Sequence, residues 1–470
     1  MSEKSPITFE KELKQYPTSI PGLTLFDLPV HGDSRGWFKE NWQREKMINI
    51  GLPDFKPIQN NVSFNDKKGV TRGIHAEPWD KFVSLGKGRV FCAWVDIREN
   101  SPAYGTVFTT ELDPSKAIFV PAGVANSYQT LEDDTVYSYL VNDHWSPEAK
   151  YSFVDLADES LGIEWPIPLS EAEISEKDKN HPLLKDASAV PAKKILVTGG
   201  NGQLGRALRK IFPNAEFVDR EELDITSDLT NARRWRDYQT IINAAAYTAV
   251  DTAETPEGKV TAWKVNGQAV EQLSKIATEY NLTFVNLSSD YVFDGTIELH
   301  DEDEPLSPLG VYAQTKAAGE LLTKMAPKHY LIRTSWVIGE GKNFVLTMKS
   351  LAERDIKPSV VDDQIGRLTF ADDLAQAIKH LIDTNAPYGT YNMSNEGKSA
   401  SWAEIAQEVY KAAGKPADDI TPVTTEEYYK DKEGIAPRPL QSTLKLDKIK
   451  ATGFTPREWR QALQNYLEQQ

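Results

Sequence analysis

The hydrophobic pattern of the chain changes once, near residue 190. Up to about residue 168, short apolar or alternating runs recur between Gly, Pro, Asn and Asp residues, and long helical periodicity is scarce. Four such runs are 82–85, 90–97, 117–120 and 135–141. Runs of this length predict an antiparallel all-β sandwich or barrel, of which a cupin-like jelly roll is one small form.

From Lys193 onward, apolar strand patterns alternate with helical ones. An apolar run at 195–197 predicts a buried parallel strand. The runs that predict further strands are 216–218, 241–246 and 283–287, and those that predict helices are 344–354, 372–383 and 402–413. This alternation is typical of an α/β Rossmann fold, a doubly wound parallel sheet, here with a smaller C-terminal substrate subdomain.

Chain length and composition agree with two soluble domains. A chain of 470 residues is too long for one core. The charged, apolar-poor stretch 169–192 ends in Ala-Ser-Ala-Val-Pro-Ala, which is typical of a linker. We therefore expect an N-terminal domain at 1–184, a linker at 185–192 and a C-terminal domain at 193–470.

Charge and residue usage exclude several classes of function. The net charge of −16 disfavours nucleic acid as a partner. The single cysteine, Cys92, lies in an apolar run and excludes an intramolecular disulfide, so we expect it to be a buried packing residue. No apolar run reaches the ~18 residues of a membrane span, and the polar N-terminus lacks a signal-peptide pattern. We expect a cytoplasmic protein.

A glycine-rich turn directly follows the strand at 195–197. Gly199 suits a tight turn, Gly202 lets the backbone approach a pyrophosphate, and Gly205 lets the next helix pack closely. The N-terminus of that helix, whose apolar face carries Leu204 and Leu208, favours phosphate. This order predicts a dinucleotide site, and the alternative is a glycine-rich turn in another kind of α/β unit.

The end of the next strand bears on which dinucleotide binds. An acid there binds the ribose diol of NAD, and a base accommodates the 2′-phosphate of NADP. Asp219 and Arg220 are adjacent, so the choice stays open with a slight preference for NADP(H). We expect Asp224 and Ile225 to cap the next helix or to lie near the adenine. The predicted cofactor contacts are Gly199, Asn201, Gly202, Gln203, Leu204, Gly205, Asp219, Arg220, Asp224, Ile225, Ala244, Ala245, Ala246, Tyr312 and Lys316.

Tyr312 and Lys316 form a pair with possible acid–base chemistry. Residues four apart share a helix face, so both side chains are expected to point into one cleft. An ammonium beside a phenol lowers the pKa of the phenol, and the tyrosine then protonates a carbonyl oxygen as hydride arrives from the nicotinamide. Ser289 would hold that oxygen. The alternative is a solvated helix face.

Four strings resemble the dTDP-4-dehydrorhamnose 3,5-epimerase family in order and spacing, over roughly residues 20–184. They are DSRGWFKE at 33–40, QNNVS at 59–63, VTRGIH at 70–75 and LGIEWP at 161–166. The resemblance implies a jelly roll that dimerises and epimerises a 4-keto sugar nucleotide without a cofactor.

The resemblance also implies roles for single residues. His75 matches the base that removes the acidified protons at C3 and C5, and Asp158 the carboxylate that orients it. Lys81 matches the cation that stabilises the enolate oxygen, and Tyr139 the phenol that returns a proton on the opposite face. On pattern alone, a lone histidine such as His75 is more often structural, and the alternative for Tyr139 is a barrel-lining aromatic. The matched substrate contacts are Arg72 and Gln59 for the diphosphate, Arg35, Phe38 and Glu40 for the nucleoside, and Asn61 and Asn126.

The chain departs from this family at two positions in the pocket, and it also lacks the ligands of a metal-binding cupin. His75-Ala76-Glu77 stands where the family usually reads His-Phe-Gln, and Asn126 stands where it usually has His. A metal-binding cupin needs a His-x-His pair, a Glu and a later His, and Asn is a poor ligand for a transition metal. We therefore predict no metal. These changes alter the pocket, so inversion at one carbon only stays an alternative.

Six strings in residues 193–470 resemble the extended short-chain dehydrogenase/reductase superfamily, and within it dTDP-4-dehydrorhamnose reductase. They are TGGNGQLG, NAAAYTAVDTAE, SSDYVFDG, YAQTKAAGE, IRTSWV and DDQIGRLT. The resemblance makes Ser289, Tyr312 and Lys316 the catalytic triad, and it makes Thr248, Val250, Asp251, Trp336 and Arg438 substrate contacts. Ala207 replaces the glutamate with which some members bind magnesium, so again no metal is predicted. Arg438 is a diphosphate contact or, alternatively, a surface charge.

The two resemblances name consecutive reactions. The hypothesis is a bifunctional enzyme that epimerises dTDP-4-dehydro-6-deoxy-D-glucose and reduces the product to dTDP-L-rhamnose with NADP(H) or NAD(H). It would act as a homodimer through the jelly roll, with neither nucleic acid nor membrane as a partner. Two alternatives remain: a single-carbon epimerase–reductase that makes another deoxysugar, and an active reductase with a non-catalytic N-terminal binding module.

Overall fold

The computed structural model describes residues 7–469, and its internal contacts divide the chain into two units, Met1–Ala192 (unit 1) and Lys193–Gln470 (unit 2). The division falls where the hydrophobic pattern changes. The regular elements of unit 1 are almost all strands, whereas strands and helices alternate in unit 2.

The regular elements of unit 1 are fourteen strands and one short helix among its described residues. The helix is α1 (Arg44–Asn49). The strands are β1 (Lys14–Pro17), β2 (Thr24–Asp27), β3 (Val30–Asp33), β4 (Gly36–Lys39), β5 (Gln59–Asn65), β6 (Val70–Ala76), β7 (Lys81–Lys87), β8 (Val90–Asp96), β9 (Val107–Leu112), β10 (Lys116–Val120), β11 (Val124–Thr130), β12 (Thr135–Val141), β13 (Ser152–Phe153) and β14 (Glu173–Ile174).

The strands of unit 1 form two antiparallel sheets. One has the order β1-β2-β10-β7-β12-β5, and the other has the order β13-β6-β11-β8-β9, with β14 added parallel to β6. Strands β3 and β4 pair with each other in a separate two-stranded sheet. The four apolar runs read from the sequence are β7, β8, β10 and β12. The jelly-roll prediction is confirmed.

The core of unit 1 contains residues from both sheets. Val83 and Leu85 of β7 pack in one cluster with Cys92 and Trp94 of β8, and all four are fully buried. Side chains alternate along a strand, so each sheet turns one set of positions inward. Cys92 is the buried packing residue that was expected, and burial raises the pKa of its thiol.

The segment 169–192 is not a free connector. Strand β14 pairs with β6, and the Ser188 carbonyl accepts a hydrogen bond from Ser152 at 2.5 Å. Val190 is buried in the same cluster as Ile97 and pairs with Arg98. The prediction of a linker at 185–192 is therefore wrong as far as Val190, because this apolar side chain belongs to the core of unit 1.

Unit 2 has twelve strands and ten helices among its described residues. The strands are β15 (Lys194–Thr198), β16 (Glu216–Val218), β17 (Tyr238–Asn243), β18 (Thr283–Ser289), β19 (His329–Thr334), β20 (Val337–Ile338), β21 (Ser359–Val361), β22 (Ile365–Gly366), β23 (Thr369–Phe370), β24 (Gly389–Asn392), β25 (Ala400–Ser401) and β26 (Thr421–Val423). The helices are α2 (Gln203–Ile211), α3 (Pro256–Trp263), α4 (Ala269–Glu279), α5 (Val311–Thr323), α6 (Phe344–Glu353), α7 (Ala371–Asp383), α8 (Trp402–Ala412), α9 (Thr425–Tyr429), α10 (Asp447–Ala451) and α11 (Trp459–Glu468). No helix within residues 7–469 has both the length and the apolarity to cross a bilayer.

A six-stranded parallel sheet, ordered β16-β15-β17-β18-β19-β24, lies at the centre of unit 2. Consecutive residues of β17 show why helices cover both faces. Ile242 packs with Leu208 of α2, whereas Ile241 packs with Leu273 of α4, since successive side chains point to opposite faces. A third cluster joins α6, α8 and α11 in the C-terminal subdomain. The Rossmann prediction is confirmed.

A buried ion pair fixes helix α5 against the sheet. Arg333 of β19 donates from Nε and Nη2 to the two carboxylate oxygens of Glu320, at 2.9 and 2.8 Å, and both residues are at most 1% exposed. Ser288 of β18 donates to the same carboxylate at 2.6 Å. This network sets the position of the helix that carries Tyr312 and Lys316.

The ion pair gives a stability prediction. Glu320→Ala leaves the Arg333 guanidinium buried without its anion, which typically costs about 3–5 kcal/mol. We expect the free energy of unfolding of unit 2 to fall by that amount while that of unit 1 stays unchanged. Urea titration followed by hydrogen-exchange mass spectrometry, which resolves the two units, measures both.

A matched control removes an exposed glutamate. Glu271 pairs with Lys275 across one helical turn at the surface, and such pairs contribute about 0.5 kcal/mol or less. Equal destabilisation by Glu271→Ala and Glu320→Ala would contradict the role given to the buried pair.

Candidate active sites

A cavity of about 490 Å³ opens in unit 1, lined by residues of both sheets. Its wall carries titratable and polar groups that are far apart in sequence but lie on adjacent strands. They include Arg72 and His75 of β6, Lys81 of β7, Asn126 of β11, Tyr139 of β12, and Asp178. The jelly roll thus gathers acid, base and cation around one volume.

His75 pairs with Asp178. Its Nε2 lies 2.9 Å from Asp178 Oδ1, and its side chain is one-third exposed toward solvent. Burial by itself raises the pKa of Asp178, but the hydrogen bond and charge of His75 and the Gly73 N–H outweigh it, so the pKa is lowered. An ionised Asp178 accepts the Nε2 proton, which leaves the lone pair on Nδ1 and holds the ring in place.

Asp158 is not the partner of His75, and that prediction is wrong. Its carboxylate accepts the N–H groups of Ser160 at 2.9 Å and Leu184 at 2.6 Å, and it caps the short helical turn Glu159–Leu161. An aspartate at the start of such a turn satisfies otherwise unpaired N–H groups. Sequence reasoning missed Asp178 because its local pattern, Ser-Glu-Lys-Asp-Lys-Asn, is that of a solvated charge run.

Lys81 and Tyr139 lie beside one another on the cavity wall. Lys81 Nζ is 2.5 Å from Glu77 Oε2 and 5.7 Å from the centre of the Tyr139 ring. Burial, followed by the negative charge of Glu77, raises the pKa of Tyr139, so the phenol keeps its proton at neutral pH. The structure thus places three of the four predicted catalytic groups of unit 1 at one cavity.

The predicted substrate contacts of unit 1 divide into three sets. Arg72 and Asn126 line the cavity. Asn61 pairs with Tyr139 across β5 and β12, so it lies on the same face beyond the lining residues, as does Gln59, which donates to it at 2.7 Å.

The third set does not reach the cavity within one chain. Arg35 and Phe38 lie on the exposed hairpin β3–β4, and Glu40 follows it directly. Arg35 pairs with Asp33, and Glu40 pairs with Lys46. None of the three is among the residues that line the cavity around His75.

In unit 2 the glycine turn has the geometry that a dinucleotide requires. Gly199 has a φ of +68°, and a Cβ there would lie 2.8 Å from the Ala245 nitrogen. A Cβ on Gly205 would lie 2.2 Å from the Gly199 oxygen. Helix α2 has no side-chain cap at Gly202, so its first N–H groups are available to phosphate oxygens. The residues present fit the pyrophosphate of NAD(P).

Of the remaining predicted cofactor contacts, some lie where they can reach a cofactor and others do not. The Asp219 carboxylate accepts the Asn201 N–H at 2.8 Å, whereas the Arg220 side chain is 85% exposed beside Asp224. Leu204 and Ile225 pack into the core, so only their backbones can reach a cofactor. Asp224 accepts from Thr226 in a turn, so the expectation that it caps a helix is wrong. Among the other predicted contacts, Gln203 begins α2, and Ala244, Ala245 and Ala246 follow β17.

Ser289, Tyr312 and Lys316 meet at the carboxyl end of β18. Burial, then the charge of Asp290, raises the pKa of Tyr312 to about 12, although a hydrogen bond with Ser289 opposes the rise. Lys316 donates from Nζ to the Leu287 carbonyl at 2.6 Å, and burial lowers its pKa to about 8. The expected lowering of the Tyr312 pKa by Lys316 is therefore wrong, because the ammonium is directed to a carbonyl and desolvation dominates at the phenol.

Asp290 is a buried acid that sequence reasoning did not single out. It is 2% exposed, and its Oδ1 accepts from Ser289 at 2.9 Å. Burial raises its pKa to about 6, although the hydroxyl groups of Ser442 and Ser289 oppose the rise. Its position directly after Ser289 is the only sequence signal for it.

On the predicted substrate side, Arg438 is not a surface charge. It donates to both oxygens of Asp251 at 2.8 Å and lies over the Tyr429 ring. Trp336, with a φ of +48°, stacks on Trp402 at 3.9 Å. Thr248 is exposed and Val250 half-buried, in the loop that precedes Asp251.

Comparison with known proteins assigns each unit separately. A family model described as RmlD substrate binding domain matches residues 193–470, and one described as dTDP-4-dehydrorhamnose 3,5-epimerase matches residues 17–186. Unit 1 is similar to a protein RmlC homolog of Streptococcus pyogenes serotype M6, with 52% identity over 39% of this chain and 94% of that protein.

Unit 2 has similar relatives of its own. The dTDP-4-dehydrorhamnose reductase of Aggregatibacter actinomycetemcomitans is 37% identical over 58% of this chain and 97% of that protein. A crystal structure of dTDP-4-dehydrorhamnose reductase from Bacillus anthracis in complex with NADP is 32% identical, with a TM-score of 0.54, over 59% of this chain and all of that one.

The raised pKa of Asp290 predicts a pH dependence of stability. The folded state keeps a proton that the unfolded chain releases between about pH 4 and pH 6, so the free energy of unfolding falls as the pH rises through this window. A shift of about two pKa units corresponds to about 3 kcal/mol. Asp290→Asn removes the dependence, so the variant is more stable than the parent at pH 7 by up to about 3 kcal/mol. Near pH 4 the variant and the parent have equal free energies of unfolding.

Chemical denaturation at a series of pH values measures this difference. Asp294→Asn is the control. Hydrogen bonds from Thr296 lower the pKa of the Asp294 carboxyl, so its replacement does not raise the free energy of unfolding at pH 7. An unchanged pH dependence in Asp290→Asn would contradict the prediction.

Proposed function

Because the chain belongs to the RmlD substrate binding domain family in residues 193–470 and to the dTDP-4-dehydrorhamnose 3,5-epimerase family in residues 17–186, we propose that it is a bifunctional enzyme of dTDP-L-rhamnose biosynthesis. Unit 1 inverts C3 and C5 of dTDP-4-dehydro-6-deoxy-D-glucose, and unit 2 then reduces the C4 ketone. The observation that carries the proposal is the presence of two separate acid–base sets in one chain, one around His75 and one around Tyr312.

In unit 1, His75 acts as the base. The C4 ketone acidifies the hydrogens at C3 and C5, so a positioned side-chain base can remove them. The Nδ1 lone pair of His75 accepts the proton, and Asp178 stabilises the imidazolium that forms. Lys81 stabilises the negative charge on the enolate oxygen. Tyr139, still protonated, delivers a proton to the opposite face and so inverts the centre.

In unit 2, Tyr312 supplies the proton for reduction. Bound NADP(H) supplies the hydride, and the glycine turn with the N-terminus of α2 holds its pyrophosphate. As negative charge develops on the C4 oxygen, Tyr312 protonates it, because an alkoxide is a stronger base than a phenolate. Ser289 positions the same oxygen by a hydrogen bond. Lys316 lies one helical turn from Tyr312 and adds positive charge when protonated.

The geometry at the end of β16 favours NADP(H) over NAD(H). Asp219 already accepts the Asn201 N–H, whereas Arg220 is exposed and can pair with a 2′-phosphate. The similar reductase from Bacillus anthracis was solved with NADP. A cytoplasmic location follows from the same proposal, since nucleotide sugars and NADPH are supplied there.

We further propose that unit 1 forms a homodimer. Strand β5 ends its sheet and exposes Val62 and Phe64 on one face, which a second copy would cover. The residues expected to hold the nucleoside, among them Arg35 and Phe38, lie on the exposed hairpin β3–β4 rather than at the cavity of their own chain. A second copy would allow this hairpin to complete the partner's site.

Fusion of the two units has a kinetic consequence. The product of unit 1 is the substrate of unit 2, and a covalent tether raises its local concentration near the second site. The benefit does not require a channel between the units.

Isotope exchange tests the function of unit 1 directly. In D2O with dTDP-4-dehydro-6-deoxy-D-glucose and no NADPH, we expect deuterium at both C3 and C5 by NMR, followed by dTDP-L-rhamnose when NADPH is added. Label at one carbon would indicate the single-carbon alternative. No label would indicate a non-catalytic N-terminal module and would contradict the proposal.

Matched variants assign the exchange to the His75–Asp178 pair. Asp178→Asn removes the charge that stabilises the imidazolium, so exchange should fall by about 10²-fold or more. Asp158→Asn, which loses only a turn cap, should keep exchange within a few-fold of the parent. Tyr312→Phe should leave exchange intact and stop NADPH oxidation. Equal losses in the two aspartate variants would exclude the assignment of Asp178.

Sedimentation equilibrium tests the dimer. We expect a species of twice the chain mass of 52.7 kDa. Phe64→Lys should give monomers and slow exchange at C3 and C5, because it places a charge in the interface. Leu321→Lys, an equally exposed apolar side chain in unit 2, is the control and should stay dimeric. A monomeric parent would rule out the proposed assembly.

A further inference from the structure

His181 lies beside the His75–Asp178 pair without a part in the chemistry proposed above. Its side chain is 5% exposed, and its Nε2 is 3.8 Å from Asp178 Oδ1. The ring stacks on Phe153 at 4.8 Å and lies edge-on to His75 at 5.4 Å. Neither ring nitrogen makes a hydrogen bond of normal geometry, although the Val154 backbone lies close. Buried polar atoms usually have a hydrogen-bond partner, so a buried imidazole without one is explained by an additional ligand or an additional proton.

Three ligand atoms converge at this point. One nitrogen of His75, one of His181 and a carboxylate oxygen of Asp178 all lie within 4.8 Å of one another. Around a tetrahedral zinc ion with bonds of about 2.0–2.1 Å, ligand atoms stand about 3.3 Å apart. The two distances to Asp178 Oδ1, 2.9 and 3.8 Å, lie on either side of that value. The widest separation must close by at most about 1.5 Å, and His75 is exposed enough to move.

The geometry points to a zinc site formed by His75, Asp178 and His181. Two imidazoles and one carboxylate are ligands that Zn²⁺ accepts, and three protein ligands leave a fourth position for water or a substrate oxygen. That position faces the cavity, since His75 and Asp178 line it. Glu173 on the same wall adds negative charge, whereas Lys177, whose Nζ lies 5.0 Å from the centre of the Phe153 ring, opposes the ion.

This site differs from the metal site excluded above for cupins. It does not use Glu77 or Asn126, and two of its three ligands, Asp178 and His181, lie in the segment after residue 169. Asp178 and His181 are three residues apart on and just after a short helical turn, Asp178–Asn180, which places both beside β6.

Zinc in this site would inhibit epimerisation. A histidine bound to zinc through one nitrogen is held by the metal and loses its hydrogen bond to Asp178, so His75 no longer acts as the base. This consequence rests on the proposed function of unit 1, whereas the site itself rests only on the geometry. Unit 2 contributes none of the three ligands, so reduction of supplied dTDP-4-dehydrorhamnose, which needs no epimerisation, serves as an internal control.

The test compares the full-length parent with His181→Phe, both stripped of metal with EDTA. Phenylalanine keeps the stacking on Phe153 and removes both nitrogens. We expect isothermal titration with Zn²⁺ to show one binding event in the parent that His181→Phe lacks. Cobalt(II) in its place should give the visible bands of a tetrahedral site in the parent only. His144→Phe, which changes an exposed histidine beside Asp143, should bind like the parent.

Activity supplies the second measurement. Saturating Zn²⁺ should slow deuterium exchange by the parent at least tenfold and leave exchange by His181→Phe unchanged. NADPH oxidation with supplied dTDP-4-dehydrorhamnose, the epimerised ketone, should stay unchanged in both. If the parent and His181→Phe bind zinc equally, or if neither binds it, the site is refuted. If zinc binding depends on His181 but the metal-free parent shows no exchange, the site stands and the proposed function of unit 1 fails. His181→Gln repeats the comparison should His181→Phe not fold.

Discussion

The proposed chemistry of unit 1 depends on the hydrogen bond between His75 and Asp178. This bond joins His75, the second-last residue of β6, to a short helical turn 103 residues later. A histidine without a carboxylate partner has two tautomers and a ring that is free to rotate. With Asp178 in place, the proton sits on one nitrogen and the other faces the cavity. The rest of unit 1 keeps these two groups in register, since β14 pairs with β6 and Val190 anchors the end of the same segment in the core.

Desolvation has the corresponding role in unit 2. Burial raises the pKa of Tyr312 to about 12 and of Asp290 to about 6, and it lowers the pKa of Lys316 to about 8. All three shifts favour the neutral form, as expected where a site excludes water. A phenol that keeps its proton is suited to donate it late, when charge has developed on the substrate oxygen. The buried Glu320–Arg333 pair holds helix α5, which carries Tyr312 and Lys316. The same helix therefore contributes to the stability of unit 2 and to its proposed chemistry.

The two units carry out different reactions, and they share one intermediate. Unit 1 needs a base, a cation and a proton donor around a ketone, but no redox partner, and a small cavity between two sheets supplies them. Unit 2 needs an extended cofactor site, and the carboxyl edge of a parallel sheet with a helix N-terminus beside it supplies that. His181 adds a feature that neither reaction requires, a buried imidazole that shares its carboxylate neighbour with His75, the proposed base.

Sequence alone determined the two folds, because both depend on local periodicity. The alternating runs of β7, β8, β10 and β12 predicted a sandwich, and the strand–glycine–helix order at 194–211 predicted a nucleotide turn whose close contacts at Gly199 and Gly205 only glycine tolerates. The family resemblances also assigned roles to His75, Lys81, Tyr139 and Tyr312, and these roles stay predictions. The tertiary structure alone decided which carboxylate meets His75, since Asp158 and Asp178 both lie in polar segments and only chain folding separates a turn cap from a catalytic partner. It also decided the pKa of Tyr312, because burial depends on everything packed around the phenol and not on the lysine four residues away.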